Sequence, residues 1–227
     1  MNTILSSPLF GIVLCIATFA LGVEINKKVK SPVANPLLIA IALVIIILKV
    51  FHIPLKNFNT GGDIITMFLA PATVVLALSV YNQIEILKKH FLPIFFGCLA
   101  GSLTSMTSAF LLCKAFHLDD KLTISMLPKS VTTPIAMEIS RQGGGIVPVT
   151  VAAVIVTGIL GAILAPALIK IFRVDNPIAA GVAIGACSHA VGTSKAIELG
   201  EIQGAMSGLS LCVSGILTVI LSLFLVK

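Results

Sequence analysis

Charged residues are scarce in this 227-residue chain. They make up 11% of it, whereas hydrophobic residues make up 57%. A soluble domain carries about 25% charged residues, so this chain has too few to cover a water-facing surface. Its apolar runs are continuous rather than alternating, which is typical of spanning helices and not of barrel strands. We therefore predict an all-α integral membrane protein that lies in the lipid bilayer.

Recognisable catalytic and metal-binding motifs are also missing. The sequence has no P-loop, HExxH or GxSxG motif, and its five cysteines form no CxxC pair. No acidic residue follows Ser188 and His189 at a spacing that would complete a catalytic triad. We therefore predict no enzyme activity, no cofactor and no metal site. The net charge of +6 comes from short loops between apolar runs, where basic residues set orientation rather than bind nucleic acid.

Seven apolar runs have about the length of a membrane span, which needs about 20 mostly apolar residues. Their predicted limits are 8–23, 36–50, 64–80, 91–113, 146–171, 177 onward and 203–226. A loop that ends at Gly61-Gly62-Asp63 is expected before the third run, and Gly97 and Gly101 predict close helix packing in the fourth. We predict one polytopic domain, 1–227. The similar places of the Pro71 and Ser188 motifs are compatible with internal halves of about 1–115 and 116–227.

The segment 121–142 is less apolar and is interrupted by Pro128 and Pro134. Basic clusters at 27–30, 88–89 and 170–173 all belong on the cytoplasmic side. All three clusters lie on that side only if the segment 121–142 enters the membrane and returns to the side from which it came. A full crossing of this segment would place the cluster at 170–173 outside. We therefore favour about seven full spans plus one re-entrant or broken segment, with the N-terminus outside and the C-terminus cytoplasmic.

Polar residues collect at three interrupted apolar segments, around Pro71, between Pro128 and Pro134, and from Ser188 to Lys195. Broken backbone at membrane depth is tolerated where it lines protein or a watery cavity. Half-helix N-termini and lysines supply donors and positive charge, which favours an anionic substrate. The predicted substrate-binding residues are Pro71, Thr73, Lys129, Ser130, Thr132, Thr133, Pro134, Ser188, His189, Gly192 and Thr193.

Structural roles compete with these assignments. A structural role suits Thr73 equally well. In it, the Thr73 hydroxyl bonds back to the backbone of its own helix beside a proline kink. The segment 121–142 has the alternative of a polar surface loop between short helices. His189 is either a packing histidine or a site residue, and in the second case its titration could couple transport to protons. Lys195 is at least as well suited to reach the membrane interface as to contact a ligand.

Four stretches of the chain resemble the LrgB/CidB family of bacterial membrane proteins. They are Asn35-Pro-Leu-Leu38, Pro71-Ala-Thr-Val74, Leu127-Pro-Lys-Ser-Val-Thr-Thr-Pro-Ile-Ala136 and Ser188-His-Ala-Val-Gly-Thr193. They occur in the family's order, and the third is long and specific. Ser79-Val80 stands where the family usually has Pro-Leu, and Ser194-Lys195 stands where it usually has Ala-Arg. The second departure keeps a positive charge but loses the bidentate guanidinium.

The resemblance implies two functions. In one, the protein acts with a small holin-like partner of the LrgA/CidA type as an antiholin-like regulator of murein hydrolase export and cell lysis. In the other, it transports small monocarboxylates such as pyruvate, glycolate or lactate, like a similar plastid glycolate/glycerate translocator. Three broken, donor-lined segments suit a carrier better than an apolar pore. We therefore expect a multi-pass monocarboxylate carrier of the plasma membrane, which is also compatible with a homo-oligomer.

Overall fold

The computed structural model describes residues 5–29, 34–68, 71, 74, 81 and 84–225, and every regular element in them is helical. The helices are α1 (Pro8–Val29), α2 (Pro36–Val50), α3 (Leu55–Met67), α4 (Ile84–Lys89), α5 (Phe91–Ala115), α6 (Asp120–Met126), α7 (Thr133–Gln142), α8 (Val147–Ile171), α9 (Pro177–Leu199) and α10 (Glu201–Leu225). The prediction of a helical chain is thus confirmed for these residues. The chain divides into two compact units, Met1–Thr73 and Val74–Lys227.

In the first unit, α1 packs against both α2 and α3 through glycines. A Cβ atom added to Gly11 would lie 2.5 Å from the carbonyl oxygen of Phe58, so the backbones of α1 and α3 touch there. Gly61 lies in the same contact, against the Pro8 carbonyl. The predicted loop ending at Asp63 is therefore wrong. Residues 61–63 lie inside α3, because the glycine serves a helix contact rather than a turn.

In the second unit, α5 and the beginning of α9 lie side by side and run in the same direction. A Cβ atom added to Gly97 would lie 3.4 Å from Val182, and one added to Gly101 would lie 3.3 Å from Ala186. This confirms the predicted close packing at the two glycines of α5. In this unit, the upper end is defined as the end at which α5 finishes. The lower end is the end at which α5 begins.

The segment between α5 and α8 starts and finishes at the upper end. Ser125, near the end of α6, accepts a hydrogen bond from the backbone N–H of Ile146 at 2.7 Å. A helix of seven residues is about 10 Å long, so Asp119 and Ile146 cannot lie on opposite sides of a hydrocarbon core of about 30 Å. This segment therefore has the re-entrant geometry that the charge pattern favoured. We call its non-helical residues 127–132 the upper tip.

Helix α9 also turns back on itself. A Cβ atom added to Gly181 would lie 2.6 Å from the Gln203 carbonyl oxygen, and one added to Gly204 would lie 2.7 Å from Ile197. Residues 181 and 197 would be about 24 Å apart in a straight helix, yet both lie against the start of α10. The reversal occurs at His189, whose φ of 41° and ψ of −143° are not helical.

The prediction of a continuous seventh span is therefore wrong. The two arms of α9, residues 177–188 and 190–199, are antiparallel and leave from the lower end. Each is about 15–18 Å long, which is about half the thickness of the hydrocarbon core. We call residues 187–190, where the arms join, the lower tip.

Four helices among the described residues are long and apolar enough to cross a membrane, namely α1, α5, α8 and α10. Helix α2 is also apolar but has 15 residues. Much of the third predicted run, including residues 75–80, lies outside the described residues. The coarse class of a helical membrane protein is thus supported, whereas the count of seven full spans is not reached by the part of the chain that the structure describes.

Cysteine labelling tests both reversals. In a variant without native cysteines, we expect Leu118→Cys and Gln142→Cys to react with an impermeant maleimide from one side of the membrane. Asp175→Cys and Glu201→Cys should both react from the other side, because α8 crosses and α9 returns. Opposite labelling of residues 118 and 142 would contradict the upper reversal, and opposite labelling of 175 and 201 would contradict the lower one.

Candidate functional site

A lysine and two serines form the polar centre of the second unit. The Lys129 ammonium donates a hydrogen bond to Ser105 Oγ at 3.0 Å, and Ser105 Oγ lies 2.6 Å from Ser130 Oγ. Lys129 and Ser105 are half-buried and Ser130 is buried. Ser105 is near the middle of α5, so the upper tip reaches about halfway along that helix. A cation and hydroxyl donors are thereby held inside the helical bundle.

Lys129 has no acidic partner in the described part of the chain. The ion pairs found there are Lys114–Asp120, Arg141–Glu138 and Lys195–Glu198. A charge that is partly removed from water is costly unless it is paired. The position therefore favours an anion that comes from outside the chain.

The upper tip also presents the start of a helix. Thr132 has an extended backbone and precedes α7, and its side chain does not cap the helix. The first backbone N–H groups of a helix have no partner within it and carry partial positive charge. Thr132 is 7% exposed, and its hydroxyl has no hydrogen-bond partner in the described structure. Thr133 and Pro134, both half-buried, form the first turn of α7.

At the lower tip, His189 fastens the reversal to α8. Its Nε2 lies 2.8 Å from the carbonyl oxygen of Val154 and must donate to it, since a carbonyl can only accept. The ring reaches this carbonyl because Gly158 has no side chain, and a Cβ atom there would lie 2.5 Å from Cε1 of His189. His189 is 3% exposed. The geometry thus gives His189 a packing role, and its contact with a substrate stays a prediction.

Small residues surround the lower tip because the backbones are close. Gly161 of α8 lies against the Ser188 side chain, and Gly192 lies against Ser188 from the second arm. Thr193 Oγ1 donates to the His189 carbonyl oxygen at 2.9 Å and lies 2.9 Å from Ser207 Oγ of α10. The predicted group Ser188, His189, Gly192 and Thr193 therefore does come together.

The two tips meet each other inside the unit. Lys129 of the upper tip is close enough to Cys187 of the lower tip for the two groups to interact electrostatically. Val131 of the upper tip packs in one buried cluster with Val154, whose carbonyl holds His189. Two of the three predicted segments thus converge on one place.

The third predicted segment lies in the first unit and is described only in part. Pro71 is helical and exposed and belongs to the first unit, and Thr73 lies outside the described residues. Their roles as substrate-binding residues stay predictions. A metal centre is not indicated either, since no three histidine, cysteine or acidic side chains of the described residues come together.

Comparison with known proteins places this chain in a family. The profile of the LrgB-like family matches residues 15–227. The chain belongs to the LrgB-like family. Antiholin-like protein LrgB of Bacillus subtilis (strain 168) is 40% identical over 215 residues, which cover 94% of this chain and 93% of that protein. The proteins of the same name from Bacillus cereus (strain B4264) and Bacillus anthracis (strain CDC 684 / NRRL 3495) are each 38% identical over 215 residues, covering 94% of both chains. No solved structure matches.

One part of this LrgB-like site was not predicted from the sequence. Ser105 bonds to both Lys129 and Ser130, yet it lies in a run of α5 that reads as an ordinary span. The available signal was the spacing of Ser102, Ser105 and Ser108, which recurs every three residues on one helix. That signal is weak, because serines in apolar helices commonly bond to their own backbone, as Ser108 does to the Ser105 carbonyl at 3.0 Å.

Proposed function

We propose that this LrgB-like protein is a carrier of small monocarboxylates such as pyruvate, glycolate or lactate. The observation that carries the proposal is Lys129, a half-buried cation with hydroxyl partners and no acidic partner among the described residues. One carboxylate would neutralise it, and Ser130 and the start of α7 would supply further donors. We propose transport rather than catalysis, with no cofactor, and coupling to protons belongs to the same proposal.

Two re-entrant tips that meet near the middle of a helical bundle suit alternating access. Irregular backbone at membrane depth is used in transporters at the substrate site, where half-helix ends face the substrate. The lower tip lies close to Lys129, so a movement of one arm of α9 would change the access to that lysine. A pore made of apolar helices has no need of such a site.

The proposed orientation is set by basic loops. Lys88 and Lys89 lie just before α5, which begins at the lower end of the unit. Lys170 and Arg173 lie at the end of α8, which also finishes at the lower end. These loops are therefore assigned to the cytoplasm, in a protein of the plasma membrane. Because α9 turns back and α10 runs parallel to α5, the end of α10 is assigned to the outer side. This replaces the cytoplasmic C-terminus that a straight α9 would give.

A second candidate function is favoured by the names of the relatives. They are called antiholin-like, which supports a regulator of murein hydrolase export and cell lysis without carrier activity of its own. A small membrane protein of the LrgA/CidA type is the proposed partner in both cases, and a homo-oligomer is compatible with both. We propose that effects on lysis follow from the movement of carboxylates.

Uptake into vesicles separates the two functions. Purified protein is reconstituted alone and together with the LrgA/CidA-type partner, and the uptake of labelled pyruvate and glycolate is measured. We expect saturable uptake that unlabelled pyruvate inhibits. Lack of uptake of either acid, with and without the partner, in vesicles that hold folded protein would reject the carrier and leave the regulator.

A further inference from the structure

Three buried hydroxyl groups in the second unit have no hydrogen-bond partner among the described residues. In the described structure, the buried side-chain oxygens that have no hydrogen-bond partner belong to Ser102, Thr132 and Ser214. Ser102 and Ser214 are each 2% exposed, so water does not freely reach them. A buried polar group that is left unpaired is costly and calls for an explanation. A ligand that lies against these hydroxyls would supply the missing partners.

The three hydroxyls lie at the level where the two tips meet. Ser102 lies on α5 one turn below Ser105, which bonds to Lys129, and residues three apart on a helix have Cβ atoms about 5–6 Å from each other. The neighbouring residue Gly101 contacts Ala186, just before the lower tip. Ser102 therefore lies between the heights of the upper and lower tips on α5.

Ser214 reaches the same level from α10. Cys98 Sγ lies 3.7 Å from the Ser210 carbonyl oxygen, and α5 and α10 run in the same direction. One helical turn after Cys98 on α5 comes Ser102, and one turn after Ser210 on α10 comes Ser214. These two serines therefore lie at about the same height. The Cys98 thiol lies beside the Ser214 hydroxyl but donates to the Ser210 carbonyl oxygen, and the two side chains do not reach the geometry of a hydrogen bond with each other. The next residue, Gly215, lies against Ile135 of α7. Ser214 thus lies near the start of α7, at about the height of Ser102.

We propose that Ser102 and Ser214 bind the oxygen at C2 of a 2-oxo or 2-hydroxy acid whose carboxylate lies at Lys129. This inference rests on the proposed function and adds the residues that select the substrate. A site built to pair with a substrate oxygen rejects an analogue that lacks it, because its own polar groups then stay unpaired. The protein should therefore prefer pyruvate and lactate to propionate, which has the same carboxylate and no oxygen at C2.

Competition assays with variants test this. Uptake of labelled pyruvate is measured in vesicles with unlabelled pyruvate, lactate or propionate as competitor. For Ser102→Ala and Ser214→Ala we expect the affinity for pyruvate and lactate to fall by about threefold to tenfold for each lost hydrogen bond. The affinity for propionate should be unchanged. Ser222→Ala is the matched control, because Ser222 is also buried on α10 but donates to the Val219 carbonyl oxygen of its own helix.

The outcomes are distinguishable. Equal changes for pyruvate and propionate would show a structural effect and overturn the proposal, and so would unchanged affinities. If the wild-type protein takes up no carboxylate, the proposed function fails and this inference fails with it. If it transports pyruvate and the variants keep the wild-type preference, only the selection by Ser102 and Ser214 is wrong. Thermal unfolding of both variants should be no worse than wild type, because each loses a hydroxyl that had no partner.

Discussion

Replacing Lys129 by methionine is expected to lower the apparent affinity for pyruvate by about tenfold to a hundredfold, because charge-assisted hydrogen bonds contribute about 1.5–3 kcal/mol. The change keeps a long side chain of similar volume and removes only the cation and its hydrogen bond to Ser105. The measurement is the concentration dependence of pyruvate uptake into vesicles. Thermal stability should be equal to or higher than that of the wild type, since a half-buried charge without an acidic partner is lost.

Lys195→Met is the matched control for this change. Lys195 pairs with Glu198 at 2.7 Å, and the Glu198 side chain is 66% exposed. Surface ion pairs of this kind contribute about 0–1 kcal/mol, so we expect normal uptake. Wild-type affinity in Lys129→Met, or an equal loss in both lysine variants, would contradict the placement of the anion at Lys129.

Adding a single methyl group at Gly158 is expected to disrupt the lower tip. The new Cβ atom would lie 2.5 Å from Cε1 and 2.7 Å from Nε2 of His189. Overpacking a core of this kind costs about 1–3 kcal/mol. Displacing the ring also breaks its bond to Val154 and leaves buried polar groups unpaired, which costs about a further 1–3 kcal/mol. Thermal unfolding of Gly158→Ala in detergent should therefore show a large loss of stability, and uptake should be lost with it.

Gly208→Ala provides the control, because a Cβ atom at Gly208 meets nothing within 4 Å. Alanine in a helix is more favourable than glycine by about 0.5–1 kcal/mol, so this variant should be slightly stabilised and should transport normally. Wild-type stability in Gly158→Ala would show that His189 does not hold the lower tip against α8.

The broad architecture could be predicted from the sequence because its causes are local. The shortage of charge requires helices in a membrane, and the spacing of Pro128 and Pro134 does not allow one regular helix throughout the segment 121–142. The basic loops constrain how many times the chain crosses, which is why the return of the segment 121–142 was favoured. Lys129 and Ser130 are predicted as site residues for the same reason, since polar residues beside a proline break stand out in an apolar chain.

The reversal of α9 could not be predicted, because its cause is tertiary. A left-handed backbone is expected at glycine, and Gly185 and Gly192 were available nearby, yet the turn lies at His189. That conformation is held by the contact of the imidazole with Val154 and by the missing side chain of Gly158. Neither contact leaves a local pattern in the sequence. A count of spans that treats α9 as one straight helix therefore includes a crossing that its reversed geometry does not support.

Accessibility of Cys187 tests most directly whether the two tips enclose an anion site that water can reach. Cys187 is exposed and lies close to Lys129, and the other four cysteines can be replaced. With Cys187 as the single cysteine, we expect an anionic methanethiosulfonate to react faster than a cationic one, and pyruvate to slow both reactions severalfold. The preference for the anionic reagent should disappear in Lys129→Met. Reaction rates that pyruvate does not change, in protein that still takes up pyruvate, would contradict a binding site at these tips.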